Sequence, residues 1–547
     1  MRIPNNRAID AKATFAGNNG AVGPVRRPDL TRRAWRMTGS SAAWIALFGL
    51  NSLGILPWMH VKFPVVDLAE MVYEVQRIYL GYVPHKDTFT HHFLGYLIPF
   101  YALRSITPLT PLVLKVASLC FNFATAVAIW AIVREVASPP VAWLGGFLAV
   151  TMGWFWNWQG FAFNLQSYIT PLLSFVLLLV TRACLRQSVT SLYACAFLSG
   201  ILLTFDQRAA VFLVLLAIPP LVVPELRRRR TLCVSMVLLM FVPTLCGLYL
   251  WRVGAWSDFL EQTIVFPLFY RNQGIPAQGL LPALRWVGPW LWSDPLAAYF
   301  LFVGLVTAWL AEHRRWFPMV LATTVICAAG YVALGGRPYP NYFLIFAPVA
   351  LVLMALLPWY ARKWSKTAGI VTGAALVVLG AFSGAKPLML FAQTGTAFLE
   401  PAEETVEASA RFVRDHTTAE DPVLVWGFAP QIYVLSDRFH TFKDAGLLSV
   451  AGANFASTSS EDQGRIPHMV HEFEEYLVRT PPKVIVHYVL TREPTGLCYG
   501  KGVVQRNIDY RQSPHLKPLR DVITQSYRLE RVVNGPCDRA EMFLYEP

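Results

Sequence analysis

The 547 residues are 55% hydrophobic, 14% aromatic and only 15% charged, with a formal net charge of +13. A soluble chain carries about a quarter charged residues, and apolar runs of about 18 or more recur here, so composition excludes a water-soluble globular protein and predicts an integral membrane protein. The basic surplus lies in short tracts between apolar runs, a pattern that sets topology across a bilayer and argues against nucleic acid as a partner.

Residues 1–40 are Arg-rich and contain Gly and Pro, with no small-residue cleavage site after a short apolar core. They read as a disordered basic cytoplasmic tail, not a removed signal. The first span covers about 41–59, and Arg26, Arg27, Arg32, Arg33 and Arg36 before it place its N-terminal end in the cytoplasm. The connection 60–111 is then exoplasmic. Its stretch from Pro64 to Tyr101 gathers Asp67, Glu70, Glu74, Arg77, Lys86, Asp87, His91 and His92 beside hundreds of largely apolar residues. Residues 93–106 are apolar but too short to cross about 30 Å of hydrocarbon, and predict a helix lying in the interface.

Further spans are expected at about 112–133, 140–156, 168–183, 189–205, 209–224, 232–251, 290–311, 317–335, 341–360 and 367–385, about eleven in all. The basic connections at Arg134, Arg182/Arg186, Arg227–Arg230, Arg314/Arg315 and Arg362/Lys363/Lys366 then fall on the cytoplasmic side, which supports the count independently. Between 252 and 289, Trp256, Phe259, Leu260, Ile264, Phe266 and Phe269 predict a second interfacial helix on the exoplasmic face, ending near Arg271. No internal repeat relates the halves of the 41–390 membrane domain.

From about residue 400 the composition turns polar. Helices are expected at 404–416, 429–435 and 467–479, and strands at 423–426, 483–489, 528–533 and 541–545. This alternation makes 400–547 a small exoplasmic α/β domain. Cys120, Cys184, Cys195, Cys233, Cys246 and Cys327 lie in or beside apolar segments, where a lone thiol packs as a small residue. Cys498 and Cys537 are alone in the polar part; in an exoplasmic domain they can pair as a disulfide or remain two thiols.

Asp67 stands ahead of a helical pattern at Leu68, Met71, Val72, Val75 and Tyr79, with Glu70 at capping-box spacing. It reads as a helix N-cap and, compatibly, as a general base whose pKa is raised at an apolar boundary. Asp87, in GYVPHKD, is a solvated loop acid or, with Asp67, half of a carboxylate pair able to hold a divalent cation (Mg, Mn or Ca). His91 and His92 are adjacent, which is poor metal-ligand spacing; they can donate to an anionic group or sit passively at the interface. Arg208 (with Asp206 and Gln207), Arg271, and Arg337 with Tyr339 are expected on the same face. Each cation can simply snorkel, or several together can hold a lipid-linked phosphate.

An Asp after the first span, a helix ending in Leu-Gly, a V-P-x-x-D turn and an apolar interfacial helix resemble the GT-C class of polytopic glycosyltransferases. The branch most similar contains bacterial relatives of protein mannosyltransferases and the aminoarabinose transferase of lipid A. The matching positions are Asp67, Gly81, Pro84, Asp87 and His91–Phe100; RPYPNYFLIFAP (337–348) and FDQRAAVF resemble later segments of the family. Leu68 where many relatives have Glu, His91-His92-Phe93 where many have Lys-Pro-Pro or His-Pro-Pro, and Asn341 where a His is usual are departures. The resemblance implies a mainly α polytopic membrane protein of the bacterial cell inner membrane. It also implies an inverting transferase that moves a sugar from a polyprenyl-phosphate donor to the hydroxyl of a glycan, lipid or protein, with Asp67 as catalytic residue. A transporter or lipid-linked glycan flippase, or a polymer ligase, is the alternative; a transporter would place its ionisable groups at mid-membrane, whereas here they cluster at span ends.

Overall fold

Every apolar stretch read as a span forms a helix in the computed structural model. It describes residues 41–58, 66–152, 165–268, 295–312, 314–335, 340–394, 403–427, 429–439, 442–444, 467–490, 517–535 and 538–546. The tail 1–40, Arg271, Arg337, Tyr339, Cys498 and Cys537 lie outside these residues, as does the side chain of Asp67. Among the described residues, six helices are long and apolar enough to cross a membrane: Pro111–Val136, Leu165–Arg186, Arg229–Arg252, Trp316–Leu334, Asn341–Trp364 and Lys366–Lys386. Five shorter apolar helices, Ser41–Ile55, Pro139–Met152, Val189–Leu203, Gln207–Val222 and Ala298–Ala311, occupy the other predicted spans.

Helix 347–364 is the axis of the bundle. It is apolar on all sides and buried along nearly its whole length, packing on Pro295–Ala311, Lys366–Thr394, Pro139–Met152 and Pro111–Val136. Arg229–Arg252 and Lys366–Thr394 instead leave most of their apolar surface uncovered, as lipid-facing helices do. Gly200 lets Val189–Leu203 touch Arg229–Arg252 backbone to backbone, since a Cβ there would collide with the carbonyl oxygen of Leu239. At the end of the bundle read as cytoplasmic, Arg182 and Arg186 both pair with Glu135, at 2.8 and 2.7 Å.

Residues 41–46 form an N-terminal unit apart from 47–547, which cluster as one. Within the larger unit the C-terminal residues build a four-stranded sheet from β1 (Val423–Trp426), β2 (Val484–Leu490), β3 (Tyr527–Asn534) and β4 (Asp538–Tyr545), in the order β1-β2-β4-β3. β1 and β2 run parallel, which requires a crossover connection; helices Gln431–Ser436 and Pro467–Arg479 lie in it. The other pairings are antiparallel, with a bulge in β3 between Leu529 and Arg531. All four of these strands, and the helix Glu403–His416, fall where the sequence places them; helix Lys517–Ser526 was not anticipated.

Successive residues of β1 point to opposite faces. Leu424 and Trp426 join Phe442, Phe473, Ile485, Ile523 and Phe543 on one side; Val423 and Val425 join Val406, Phe412, Ile432, Tyr433 and Met542 on the other. Neither core is built from C-terminal residues alone. Phe89 and Phe266 complete the first and Tyr73 completes the second, so the connections 66–110 and 256–268 pack directly against the module.

Candidate active site

The helix Val66–Tyr79 carries the first half of the site. Leu68, Met71, Val72 and Val75 are buried, which gives it one apolar face. It begins at Val66, so position 67 falls inside its first turn and not ahead of it. Positions 67, 70 and 74 recur at i, i+3 and i+7, on one helical face. Glu74 is buried and accepts a hydrogen bond from the Tyr96 hydroxyl, which also meets Thr90 Oγ1 at 2.9 Å. Burial, then the neighbouring carboxylates Glu70 and Asp444, push the Glu74 carboxyl well above its usual range despite Thr90 and Arg77.

The helix stops at Gly81, whose φ of 101° is the left-handed conformation that ends helices. The chain turns back at once: Asp87 Oδ2 accepts the amide of Val83 at 2.7 Å, and His85 adopts φ 65° at the turn. Gln262 holds this turn from outside. Its Nε2 donates to the His85 carbonyl at 2.6 Å, and its Oε1 accepts the Thr90 amide at 3.1 Å and meets His85 Nδ1 at 3.2 Å. Gln262 lies in a π-helical turn, Glu261–Val265, that interrupts the second predicted interfacial helix; the extra residue of such a turn re-aims one side chain. Burial lowers the His85 pKa to about 4.

Beyond this turn the rings of His91 and His92 meet with centroids 4.0 Å apart and planes tilted at 41°. The Gly95 amide donates to the Thr204 carbonyl at 2.7 Å, seating the loop on the connection 204–208. A side chain at position 95 would overlap Thr204. Burial, then the Arg208 cation, lowers His91 to about 4, with Asp206 opposing; His92 is lowered by burial and by His91. Both rings are therefore neutral at pH 7 and offer N–H donors and lone pairs, not charge.

Asp206 and Arg208 form the second half. Asp206 caps the 3₁₀ turn Gln207–Leu213, accepting the Arg208 amide at 2.8 Å, and takes the guanidinium through Nε at 3.0 and 3.1 Å and through Nη2 at 2.5 Å. Burial alone would raise the Asp206 carboxyl; Arg208 outweighs it and holds it at about 2. The Tyr331 and Tyr342 rings lie 4.5 and 4.3 Å from the guanidinium carbon. Tyr331 donates to Asp206 at 2.8 Å, Gln166 donates to Tyr331 at 3.1 Å, and Asn341 donates to Gln166 at 3.0 Å. Four separate segments of the bundle thus meet in one buried polar chain.

Of the residues singled out in the sequence, His91, His92 and Arg208 come together. Asp87 closes its own turn, and no group of three or more carboxylate, His or Cys side chains suited to a metal occurs among the described residues. Asp87 spends one carboxylate oxygen on the Val83 amide, and the side chain of its expected partner Asp67 lies outside the described residues. Gln262, Gln166 and Tyr331 escaped the sequence reading, and Asn341 entered it only as a departure from the family resemblance: each is an ordinary polar residue on a helix, and only packing shows what it meets.

No protein-family model matches this chain, and no curated protein sequence does. Solved structures do. The chain resembles ArnT from Cupriavidus metallidurans bound to undecaprenyl phosphate, with a TM-score of 0.60 over 92% of this chain and 98% of that one, at 13% identity. The apo state of the same protein gives 0.59 at 12% identity, with the same coverage. An oligosaccharyltransferase from Archaeoglobus fulgidus in its apo form gives 0.48 at 12% identity, covering 81% of this chain and 69% of that one. The likeness establishes the fold, a mainly α membrane-protein fold of the GT-C type with a small C-terminal α/β part.

Proposed function

We propose that the chain is a glycosyltransferase that moves a sugar from a polyprenyl-phosphate donor to an acceptor hydroxyl at the outer face of the cytoplasmic membrane. The observation that carries this reading is the end-to-end likeness to a structure holding undecaprenyl phosphate. It is joined here to a buried polar site at the ends of the apolar helices, where a lipid's head can reach while its tail stays in hydrocarbon.

In this reading Asp67 removes the proton from the acceptor hydroxyl. The oxygen attacks the anomeric carbon opposite the phosphate, the glycosidic bond to phosphate breaks, and the configuration inverts. A polyprenyl phosphate leaves as an anion, so it calls for donors more than for a second acid. Arg208 can supply one: Nε and Nη2 are committed to Asp206, and Nη1 has no acceptor among the described residues. The neutral imidazoles of His91 and His92 add N–H donors, and Arg271, Arg337 and Tyr339 remain candidates from the sequence. The acceptor is a glycan, lipid or protein. A divalent cation plays no part in the proposed steps.

The test is radiolabelled polyprenyl-phosphate sugar presented to the purified chain in proteoliposomes with a panel of acceptors. Transfer by the wild type, abolished by Asp67→Asn in protein that still inserts and melts normally, supports the reading. Undiminished transfer by Asp67→Asn removes the base assignment. Movement of the donor across the bilayer without any transfer or donor hydrolysis removes the enzyme.

A further inference from the structure

Arg77 has the largest fully buried side chain described in the chain. The mechanism above does not use it, yet it joins three segments. Nη2 donates to the backbone carbonyl of Asp87 at 2.8 Å, and Nη1 donates to the backbone carbonyl of Phe442, 365 residues away, also at 2.8 Å. The Tyr82 ring lies 4.5 Å from its guanidinium carbon. Beside it the Phe89 amide donates to the Lys443 carbonyl at 2.7 Å. Phe442 is buried in the same core as Phe89, and Lys443 is tied back to the module by its 2.9 Å pair with Glu472. The short strap Phe442–Asp444 therefore lies along the turn that leads to His91 and His92.

A guanidinium reaches two carbonyls at once because its nitrogens are fixed in a planar fork; an ammonium is a single point. The bonds go to main-chain oxygens, so Arg77 fixes backbone paths and not side-chain identities. The module's two cores also depend on Tyr73, Phe89 and Phe266 from outside it. A platform that only presents an acceptor would need neither feature.

We propose that the C-terminal module shapes the active site: the strap Phe442–Asp444 holds the 82–92 loop in its working path, and Arg77 is the positioning residue through which it does so. The catalytic part of this inference rests on the proposed sugar transfer; the structural part does not.

Hydrogen exchange on the full chain in nanodiscs tests the structural part without any variant. The Phe89 amide should exchange as slowly as Val425 and Val486 in β1 and β2. If it exchanges as a fraying loop while the strands stay protected, the strap holds nothing and the proposal falls. Kinetics on Arg77→Lys test the rest. With donor and acceptor saturating, kcat should fall about 100-fold, the loss expected for a displacement of about 1 Å at the reacting groups. Donor hydrolysis without acceptor should fall in parallel, and acceptor KM should stay unchanged. A raised acceptor KM at unchanged kcat makes the module an acceptor platform and overturns the proposal. Lys483→Ala, which loses an exposed pair with Asp421 elsewhere in the module, should leave both constants alone. If the wild type shows neither transfer nor donor hydrolysis, the sugar-transfer reading fails, and the exchange pattern still decides the strap.

Discussion

Two arginines withdrawn from water, Arg77 fully and Arg208 with 10% of its side chain still exposed, solve the same problem in opposite ways. Arg208, at the mouth of the helix bundle, is neutralised by a carboxylate two residues away in sequence and flanked by two tyrosine rings. Arg77, at the junction with the C-terminal module, donates to main-chain carbonyls 10 and 365 residues away. The first pair can form as soon as its own turn forms. The second set exists only when the module is docked. A buried charge is costly unless partnered, so the protein has tied one cation to local chain geometry and the other to long-range assembly.

Breaking the local pair should cost most. Asp206→Ala leaves the largely buried Arg208 cation without its carboxylate, and the expected loss is about 3–5 kcal/mol in urea unfolding in micelles. Replacing both partners, Asp206→Ala with Arg208→Met, should recover most of that loss because no charge is then stranded. A single-variant loss below about 1 kcal/mol would mean that water solvates the pair. Arg77→Met removes the charge itself and leaves two carbonyls to find other donors. It should cost less, about 1–3 kcal/mol, but should loosen the 82–92 loop as Asp206→Ala does not.

Contacts between the two regions come next. Gly95→Ala drives a methyl into Thr204, where the loop meets the Arg208 turn, and should cost about 1–3 kcal/mol with slower transfer. Tyr331→Phe removes the donor to Asp206 and the acceptor for Gln166, and should cost about 1 kcal/mol while leaving the arginine pair intact. Equal losses for Tyr331→Phe and Asp206→Ala would mean that the tyrosine, not the ion pair, is what the buried site depends on.

What could be read in advance follows the same division. Spans, interfacial helices and strands declare themselves through local hydrophobic period, and the structure has helices or strands at each stretch it describes. The Asp206–Arg208 pair was adjacent in sequence and could be singled out together. Arg77 was visible only as one charge among many on a loop, because its partners are carbonyls, which carry no sequence signature. The same is true of Gln262, whose reach depends on a π turn that no composition announces, and of the Gln166–Tyr331–Asn341 chain, whose members lie more than a hundred residues apart or on different helices. Conversely, Asp87 looked like a free acid because spacing cannot reveal that its carboxylate closes back on Val83.

The gentlest probe of the contrast is pH, because the helix Val66–Tyr79 and the 82–92 loop carry groups displaced in opposite senses. His85 and His91 fall from 6.5 to about 4, so the folded protein binds fewer protons than the unfolded chain between those values. Their contribution to stability is fully present above about pH 6.5 and is lost as pH falls through 4. Glu74 is raised well above 4.5, so its contribution is fully present below that value and is lost as pH rises through its folded pKa. From pH 4.5 upward, below 6.5, the two slopes oppose each other until Glu74 passes its folded pKa. Glu74→Gln removes the falling component, so its melting temperature should climb with pH more steeply than that of the wild type across this window. His91→Gln removes part of the rising component and should flatten the climb. Because Glu74 faces Glu70 and Asp444, the second of which the strap delivers, Arg77→Lys should weaken the Glu74 effect while leaving the His91 effect in place. Identical pH slopes in wild type, Glu74→Gln and His91→Gln would show that these groups titrate as they do in water and that the loop is not packed as described.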